Sequence, residues 1–275
     1  MIESKPLTDN YVESMIHPTM PILRRLSVVI ITQDEEVRTV NAIQSCLNFA
    51  DEIVVVDGGS RDKTVDRAQE LGCATFINPW SGYANQRKFG NEKATHDWIF
   101  MVDSDEVVSI ELATAIQDWK CSPNVDEKIA FEVDRANEFL GRWLPNDTDW
   151  QVRLFHRDSF KIKDVLVHEG IDPGQSKQKL SGVLWHYGFR SIHEQVNRFN
   201  KYTDLEAQKD YLEGKRFSLL RLVLKPPARF LKRYFQHTLF TRGVPGFAVA
   251  MFWSYYDFLR EIKLYEIGWN HNQER

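Results

Sequence analysis

Four short apolar runs alternate with helical patterns in the first half of the chain. Because the runs are continuous and rich in β-branched residues, they predict strands that are buried on both faces. The runs cover Leu26–Thr32, Glu52–Asp57, Cys73–Asn78 and Asp97–Asp103. The helical pattern after the first run places apolar residues at spacings of three and four, at Val37, Val40, Ile43 and Leu47. Further helices are predicted over Thr64–Leu71 and Tyr83–Ala94. This alternation predicts an α/β fold with a mostly parallel sheet flanked by helices.

The alternation stops near Lys128. Three strand-like segments follow, KIAFEV, QVRLFHR and GVLWHYGF, and Ile192–Leu212 has the pattern of one long amphipathic helix. We expect these segments to complete the same sheet and to wall a site at its edge. The predicted organisation is an N-terminal extension over residues 1–25, an α/β domain over residues 26–213, and a basic and aromatic helical region over residues 214–275.

Polar residues follow three of the predicted strands at the point where each strand ends. The first ends near Asp34 and Glu35, the second at Asp57 and Gly58, and the fourth at Asp103. In open α/β sheets, ligands bind outside the carboxyl ends of the strands, so we expect these groups to converge on one crevice. The absence of the GxGxxG and GxxxxGK patterns disfavours a dinucleotide-cofactor site and a P-loop.

Asp103 and Asp105 lie two residues apart, directly after a buried strand. Carboxylates this close are costly unless a cation neutralises them, so the pair predicts a divalent metal site. The alternative is that the segment SDE only caps the helix that begins near Ile110, although a cap needs one acid.

The net charge and the cysteines indicate which partners and which cellular compartment to expect. The formal net charge is −4, which argues against nucleic acid as the main partner. The three cysteines lack metal-binding spacing and predict a reducing compartment. The first 25 residues lack the apolar core of a signal peptide, and no apolar stretch reaches the ~20 residues of a transmembrane helix. We therefore expect a cytoplasmic protein.

Six segments together resemble one enzyme family in their order and spacing. They are LSVVIITQDEE, DEIVVVDGGSRDKT, ANQRKFGNEKATHDWIFMVDSDE, FLGRW, RLFHR and VHE. They are similar to the family 2 glycosyltransferases, and most similar to the branch that contains lipopolysaccharide core glucosyltransferases. The resemblance spans roughly Leu26 to Glu266. It implies a GT-A fold, a nucleotide-sugar donor and a glycan or glycolipid acceptor. Within this family, the implied donor is a UDP-sugar. One departure is Asp34, where relatives often carry Asn.

The resemblance also implies roles for individual residues. Asp103-Ser104-Asp105 matches the DXD motif that binds Mn²⁺ or Mg²⁺ in the family, and His186 is either a third metal ligand or a core histidine. Asp57 is expected to contact the nucleoside, with Asp34 and Glu35 beside it. The full set expected to bind the donor is Thr32, Asp34, Glu35, Asp57, Gly58, Arg87, Asp103, Ser104 and Arg153.

An inverting transferase needs one carboxylate as general base for the acceptor hydroxyl. Glu169 matches the His-Glu pair of the family, while Asp149 and Glu194 are alternatives. Arg142 is a further candidate for binding anions. Trp143 and Trp150 either stack on sugars or pack in the core. Two rival functions are a nucleotidyltransferase and a non-catalytic nucleotide-sugar-binding module.

The C-terminal region has an unusual charge pattern. From Lys215 to Tyr256 it contains eight Lys or Arg and no Asp or Glu. Pro226-Pro227 is expected to divide it into two short segments that lie on the inner face of the cell membrane. There, Arg229, Lys232 and Arg233 would face anionic headgroups. Alternatively, these helices pack on the α/β domain or form a homo-oligomer interface.

Overall fold

Nine strands and seven helices make up the described part of the chain. The computed structural model describes residues 24–123, 125–144, 149–159 and 176–273. The strands are β1 Leu26–Thr32, β2 Glu52–Asp57, β3 Ala74–Ile77, β4 Trp98–Asp103, β5 Glu106–Val108, β6 Ala130–Phe139, β7 Arg142–Trp143, β8 Asp149–His156 and β9 Lys177–His186. The helices are α1 Glu36–Cys46, α2 Thr64–Glu70, α3 Tyr83–Lys93, α4 Ile110–Cys121, α5 Ile192–Leu212, α6 Leu219–Leu231 and α7 Gly243–Gln273. A π-helical turn at Lys232–Gln236 and a 3₁₀ turn at Leu239–Arg242 connect α6 to α7.

The strands form one mixed sheet in the order β3-β2-β1-β4-β8-β6-β9-β5, and β7 pairs with β6. The first four strands are parallel, as predicted. In the second half, β6 and β9 are parallel, whereas the remaining pairings are antiparallel. In the N-terminal half, the helices α1, α2 and α3 return the chain between successive parallel strands.

The strand register brings three of the predicted polar groups to one edge. Thr32 pairs with Asp57 across β1 and β2, and Ile31 pairs with Asp103 across β1 and β4. Since these strands are parallel, their carboxyl ends point the same way. The expected convergence at one edge of the sheet is thus found for the strand ends of β1, β2 and β4.

Helix α1 buries a different face from the predicted one. Thr39, Ala42, Ile43 and Cys46 are buried, whereas Val37 is 72% exposed and Leu47 is 49% exposed. Small residues allow the helix to approach the sheet closely, and the Thr39 hydroxyl is satisfied by Thr32 Oγ1 at 2.7 Å. A buried threonine with a hydrogen-bond partner can therefore take a position that apolar spacing alone assigned to Val37 or Val40.

Helix α6 runs through Pro226 and Pro227, so the prediction that the prolines divide this region was wrong. Pro226 is buried, and its carbonyl accepts a hydrogen bond from Ser254 Oγ of α7 at 2.9 Å. Ser254 of α7 thus contacts α6 at the proline pair, whose nitrogens cannot donate a hydrogen bond. The predicted domain boundary at residue 213 falls between α5 and α6, and the division itself stays a prediction.

The C-terminal helices contact the α/β domain through a hydrophobic cluster. Phe139 at the end of β6 packs on Phe252 of α7 at 6.0 Å between ring centroids, and on Phe189 at 4.5 Å. Phe199 of α5 also lies against Phe252, at 6.0 Å. No helix within the described ranges is long and apolar enough to cross a membrane.

Gly90 of α3 generates a prediction about the core. A Cβ atom there would lie 2.4 Å from Val29 Cγ1 and 3.0 Å from Val56 Cγ2, so the helix rests directly on β1 and β2. Gly90→Ala should lower the free energy of unfolding by about 1–3 kcal/mol through overpacking. Gly268→Ala is the matched control, because a Cβ atom there is 4.0 Å from Tyr211 Cε2 and has room. Urea unfolding of both variants measures the difference, and equal stability would contradict the close approach.

Candidate active site

The acids after β4 occupy a tight turn. Asp103 is the last residue of β4, and Ser104 and Asp105 form the turn that leads into β5. The N-cap of α4 is Ser109, whose hydroxyl accepts a hydrogen bond from the Leu112 amide at 3.2 Å. Capping of α4 therefore does not account for Asp103 and Asp105.

Two arginines hold the carboxylate of Asp103. Arg87 Nη2 of α3 lies 2.7 Å from Asp103 Oδ1, and Arg153 Nη2 of β8 lies 3.3 Å from Asp103 Oδ2. Burial would raise the pKa of Asp103, but Arg87 and Arg153 outweigh it and hold the pKa well below its usual range. Asp103 is therefore ionised and bound on both oxygens.

Glu106 lies fully buried beneath this pair. Its Oε2 accepts the Asp103 amide hydrogen at 2.9 Å, and its Oε1 contacts Arg153 Nη2. Arg135 Nη1 is 3.6 Å from the same Oε1, and Arg135 Nε donates to Asp149 Oδ2 at 2.9 Å. Charges thus alternate along one network that joins α3, β4, β5, β6 and β8.

Asp149 belongs to this network. Burial raises its pKa, but Arg135 and the hydrogen bond from Gln151 outweigh that effect and leave the pKa below its usual value. A general base needs a pKa near the working pH, so this environment opposes that role. Asp149 is better placed to position Arg135 than to accept a proton.

Asp105 faces His186 of β9. His186 Nε2 is 3.5 Å from Asp105 Oδ2, and His186 Nδ1 is 2.7 Å from Asn137 Oδ1. Because an amide oxygen only accepts, Nδ1 carries the proton. In the neutral ring, the lone pair of Nε2 then points toward Asp105. A carboxylate oxygen and an imidazole nitrogen directed at one point fit a divalent cation such as Mn²⁺.

Two of the three predicted metal ligands, Asp105 and His186, face each other in the structure. Within the described ranges, no three His, Cys, Asp or Glu side chains lie together where they could hold a metal. Both oxygens of Asp103 contact arginines in this structure, and its predicted role as a metal ligand stays a prediction. Two protein ligands still suffice for Mg²⁺ or Mn²⁺ in sites where substrate phosphates and water complete the coordination.

The turn after β2 is organised by Asp57, which is 1% exposed. Its Oδ2 accepts the amide hydrogens of Gly59 at 2.8 Å and Ser60 at 2.7 Å, and the Ser60 hydroxyl contacts Oδ1. Asp57 therefore shapes the turn, and its predicted contact with the nucleoside stays a prediction. Next to it, a Cβ atom on Gly58 would lie 2.9 Å from Trp80 Cε3, so only glycine fits beneath this ring.

The residues after β1 are joined to the same turn. Asp34, with a φ of 53°, accepts the Arg61 amide hydrogen through Oδ1 at 2.7 Å, and its own amide donates to Ser60 Oγ at 2.7 Å. Glu35 contacts Arg190, which lies just before α5. The Thr32 side chain instead points to Thr39, so only its carbonyl, which accepts the Gly58 amide hydrogen at 2.8 Å, faces the turn.

The other predicted residues are more scattered. Arg142 is exposed, and Trp143 packs against Trp185 at 4.6 Å. Lys179 lies over Trp150 at 4.1 Å, and the Glu194 side chain is 56% exposed. Glu169 lies outside the described residues.

Sequence reasoning missed several residues of the site. Glu106 directly follows the acid pair, and its position after Asp105 was the one available signal. Arg135 and Asn137 project from β6, and nothing in their local pattern marked them. Tyr83 of α3 lies beside Arg87, whose Cζ is 5.9 Å from the ring centroid, and burial, together with Tyr202, Asp103 and Asp105, raises the pKa of Tyr83.

Comparison with known proteins adds an independent observation. Residues 27–171 match the family described as Glycosyl transferase family 2, which is more than half of the chain. The chain is a family 2 glycosyltransferase. Family membership confirms the expected α/β GT-A architecture, and the matched range contains β1 to β4 and the acid turn.

Relatives of this glycosyltransferase match over most of their length. A lipopolysaccharide core biosynthesis glycosyltransferase of Rhizobium meliloti is 32% identical over 88% of this chain and 92% of the relative. An uncharacterized glycosyltransferase of Rickettsia typhi is 31% identical over 90% of this chain and 88% of the relative. A similar solved structure is that of Mycobacterium tuberculosis glucosyl-3-phosphoglycerate synthase in complex with Mn²⁺, UDP and glucosyl-3-phosphoglycerate. The match has 18% sequence identity and a TM-score of 0.45, and it covers 71% of this chain and 82% of that chain.

Glu106 generates a stability prediction for the glycosyltransferase. Glu106→Gln keeps the shape of the side chain but leaves Arg153 and Arg135 with less negative charge around them. Since removal of one partner of a buried ion pair is strongly destabilising, the free energy of unfolding should fall by about 3–5 kcal/mol. The matched control is the exposed Glu111→Gln on α4, which should change stability by less than about 0.5 kcal/mol. Similar unfolding curves for the two variants would show that Glu106 does not support the network.

Proposed function

We propose that this enzyme transfers a sugar, glucose or another hexose, from a UDP-sugar to a hydroxyl of a lipid-linked or lipopolysaccharide-core-type glycan. The observation that carries the proposal is the acid turn at the carboxyl edge of the sheet, where Asp105 faces His186 beside the Asp57 turn. The Rhizobium meliloti relative, named for lipopolysaccharide core biosynthesis, supports the class of acceptor.

The donor diphosphate is proposed to bind beside Arg87. The Arg87 side chain is largely buried at the crevice, and its Nε has no hydrogen-bond acceptor among the described residues. A phosphate oxygen could accept from this buried nitrogen, and burial without a partner is otherwise costly. Arg153 contacts Asp103 and Glu106. We propose that it acts on the donor site indirectly, by fixing the position of Asp103. The nucleoside would lie between the turns after β1 and β2, near Asp34 and Gly58.

Asp105 and His186 are proposed to hold a divalent metal, Mn²⁺ or Mg²⁺. When bound, the metal supplies positive charge that stabilises the leaving diphosphate. The residues of the chain do the rest of the positioning. Asn137 fixes the ring of His186 through Nδ1 at 2.7 Å, and Tyr187 donates its amide hydrogen to the Asp105 carbonyl at 2.8 Å. Both contacts keep the two proposed ligands directed at each other.

We propose an inverting reaction in which Glu169 removes the acceptor proton. The support is its match to the His-Glu pair of the family and the unsuitability of its rivals. Asp149 is paired with Arg135, and Glu194 is largely exposed, with Oε2 3.9 Å from Arg190 Nε. In a single displacement, the deprotonated acceptor oxygen attacks the anomeric carbon while the bond to the diphosphate breaks.

The two rival functions now have less support. Family membership favours glycosyl transfer over nucleotidyl transfer. A binding module would have no need for Asp105 and His186 in a metal-binding arrangement. We place the reaction at the cytoplasmic face of the cell membrane, because a lipid-linked acceptor would be presented there.

Glu169→Gln tests the proposed base. The amide cannot accept the acceptor proton, so kcat should fall by about 10²–10⁴-fold while the dissociation constant of the UDP-sugar stays unchanged. Glu194→Gln is the control, and it should keep wild-type kcat. Steady-state kinetics and calorimetric donor binding give the two quantities. Wild-type turnover in Glu169→Gln would show that another carboxylate is the general base.

The different roles proposed for Asp105, as a metal ligand, and Asp103, as the partner of two arginines, can be tested with matched variants. Asp105→Asn should weaken Mn²⁺ binding by about 10-fold or more, measured by electron paramagnetic resonance in the presence of UDP. Asp103→Asn should instead lower the melting temperature, because Arg87 and Arg153 lose their partner. Removal of metal with EDTA should abolish transfer, and Mn²⁺ should restore it. Full activity in EDTA, or equal Mn²⁺ affinity in Asp105→Asn and wild type, would be incompatible with this assignment.

A further inference from the structure

Helix α7 exposes an apolar stripe along one side. Val244, Phe247, Met251, Tyr255 and Phe258 recur at spacings of three and four, and each is at least 41% exposed. Their spacing keeps them on one side of a straight helix. The opposite side of α7 is buried against the α/β domain, with Val249 and Ala250 in the cluster around Phe139.

Helix α6 exposes a second apolar stripe, formed by Leu220, Val223, Leu224 and Leu231. Side chains between the helices join the two stripes. Phe230 of α6 contacts Phe247 of α7 at 5.6 Å between ring centroids, and Phe217, just before α6, contacts Tyr265 of α7 at 4.8 Å. We call the nine residues of the two stripes the hairpin face. At roughly 100 Å² for each half-exposed side chain, the hairpin face exceeds the roughly 300–600 Å² of the largest apolar patch on a typical monomer.

Most cations of α6 are paired with α7, which corrects the predicted cationic surface. Arg229 Nε lies 2.7 Å from Asp257 Oδ2, Lys225 Nζ lies 3.1 Å from Asp257 Oδ1, and Arg221 Nη2 lies 3.0 Å from Glu261 Oε1. Asp257 and Glu261 lie just beyond the acid-free stretch of sequence, so the linear pattern concealed them. These ion pairs join α6 to α7 and leave apolar side chains on the outside. Arg229 is thus not available to headgroups as predicted.

The connection between α6 and α7 keeps its positive charge. Lys232, Arg233 and Arg242 lie in or beside it, and no Asp or Glu occurs between Lys215 and Tyr256. Lys232 is exposed, and Arg233 lies over the Trp253 ring at 4.5 Å. One end of the hairpin therefore combines cations with exposed Leu231 and Phe235. This charge complements an anionic surface, whereas a second copy would present the same sign of charge.

We propose that the hairpin face inserts into the interfacial layer of an anionic membrane, with apolar side chains rather than arginines as the main contact. Amphipathic helices bind membranes in this way, and cations at their edge add attraction to anionic lipids. Phe139 and Phe252 connect α7 to Phe189, three residues after His186. The helix that carries the stripe therefore contacts the segment that follows His186. The inference rests on the proposed function only in its choice of a lipid-linked acceptor.

The test compares two variants that each add two glutamates at exposed apolar positions. Leu220→Glu/Val244→Glu changes the hairpin face, where the two residues are 68% and 77% exposed. Val37→Glu/Ile110→Glu changes α1 and α4, where they are 72% and 56% exposed. Binding of the full chain is measured by flotation with vesicles of phosphatidylglycerol and phosphatidylcholine. The hairpin-face variant should lose about 10-fold or more in partition coefficient, whereas the control should bind like wild type.

Further measurements separate the alternatives. Wild-type binding should weaken on vesicles of phosphatidylcholine alone, and both variants should keep the wild-type melting temperature. Equal vesicle binding by both variants, or binding indifferent to lipid charge, would overturn the proposal. Sedimentation without lipid tests whether a second copy covers the hairpin face instead. If wild type forms a dimer that only the hairpin-face variant disrupts, and wild type does not bind vesicles, the face belongs to a dimer interface. UDP-sugar hydrolysis by the hairpin-face variant reports the active site separately, so failure of membrane binding and failure of the proposed function are distinguishable.

Discussion

The carboxylate of Asp103 lies between two arginines, and the arrangement of the acid turn depends on these contacts. Arg87 and Arg153 come from α3 and β8, and Glu106 supports Arg153 from beneath while it accepts the Asp103 amide hydrogen. Each charge in the network has an opposite partner, which is the condition for ionised groups to be stable when buried. The network therefore fixes the ends of β4 and β8 and the start of β5 relative to one another.

With Asp103 bound in this way, the two acids of the turn have different partners. Asp105 projects toward His186, whose ring is oriented by Asn137, while Asp103 holds the arginines in place. The C-terminal helices contact the segment that follows His186, since Phe189 packs on Phe139, which also contacts Phe252 of α7.

Local sequence patterns predicted local structure well. The bounds of β1, β2 and α5 agree with prediction, because uninterrupted apolar runs and a long amphipathic period each indicate one element. The crevice at the carboxyl edge followed from the parallel order of β1, β2 and β4. The task of Asp103 could not be predicted, because Arg153 is 50 residues away and becomes a neighbour only when β8 pairs with β4. The pairing of the α6 cations could not be predicted for the same reason, because the acids that neutralise them lie on α7.

Direct location of the metal is the most decisive measurement for this account. In crystals grown with Mn²⁺ and UDP, anomalous scattering at the manganese edge identifies the metal position without assumptions about the ligands. We expect a peak between Asp105 and His186, with Asp103 still in contact with Arg87 and Arg153. A peak coordinated by Asp103, with the two arginines displaced from its carboxylate, would contradict the central claim.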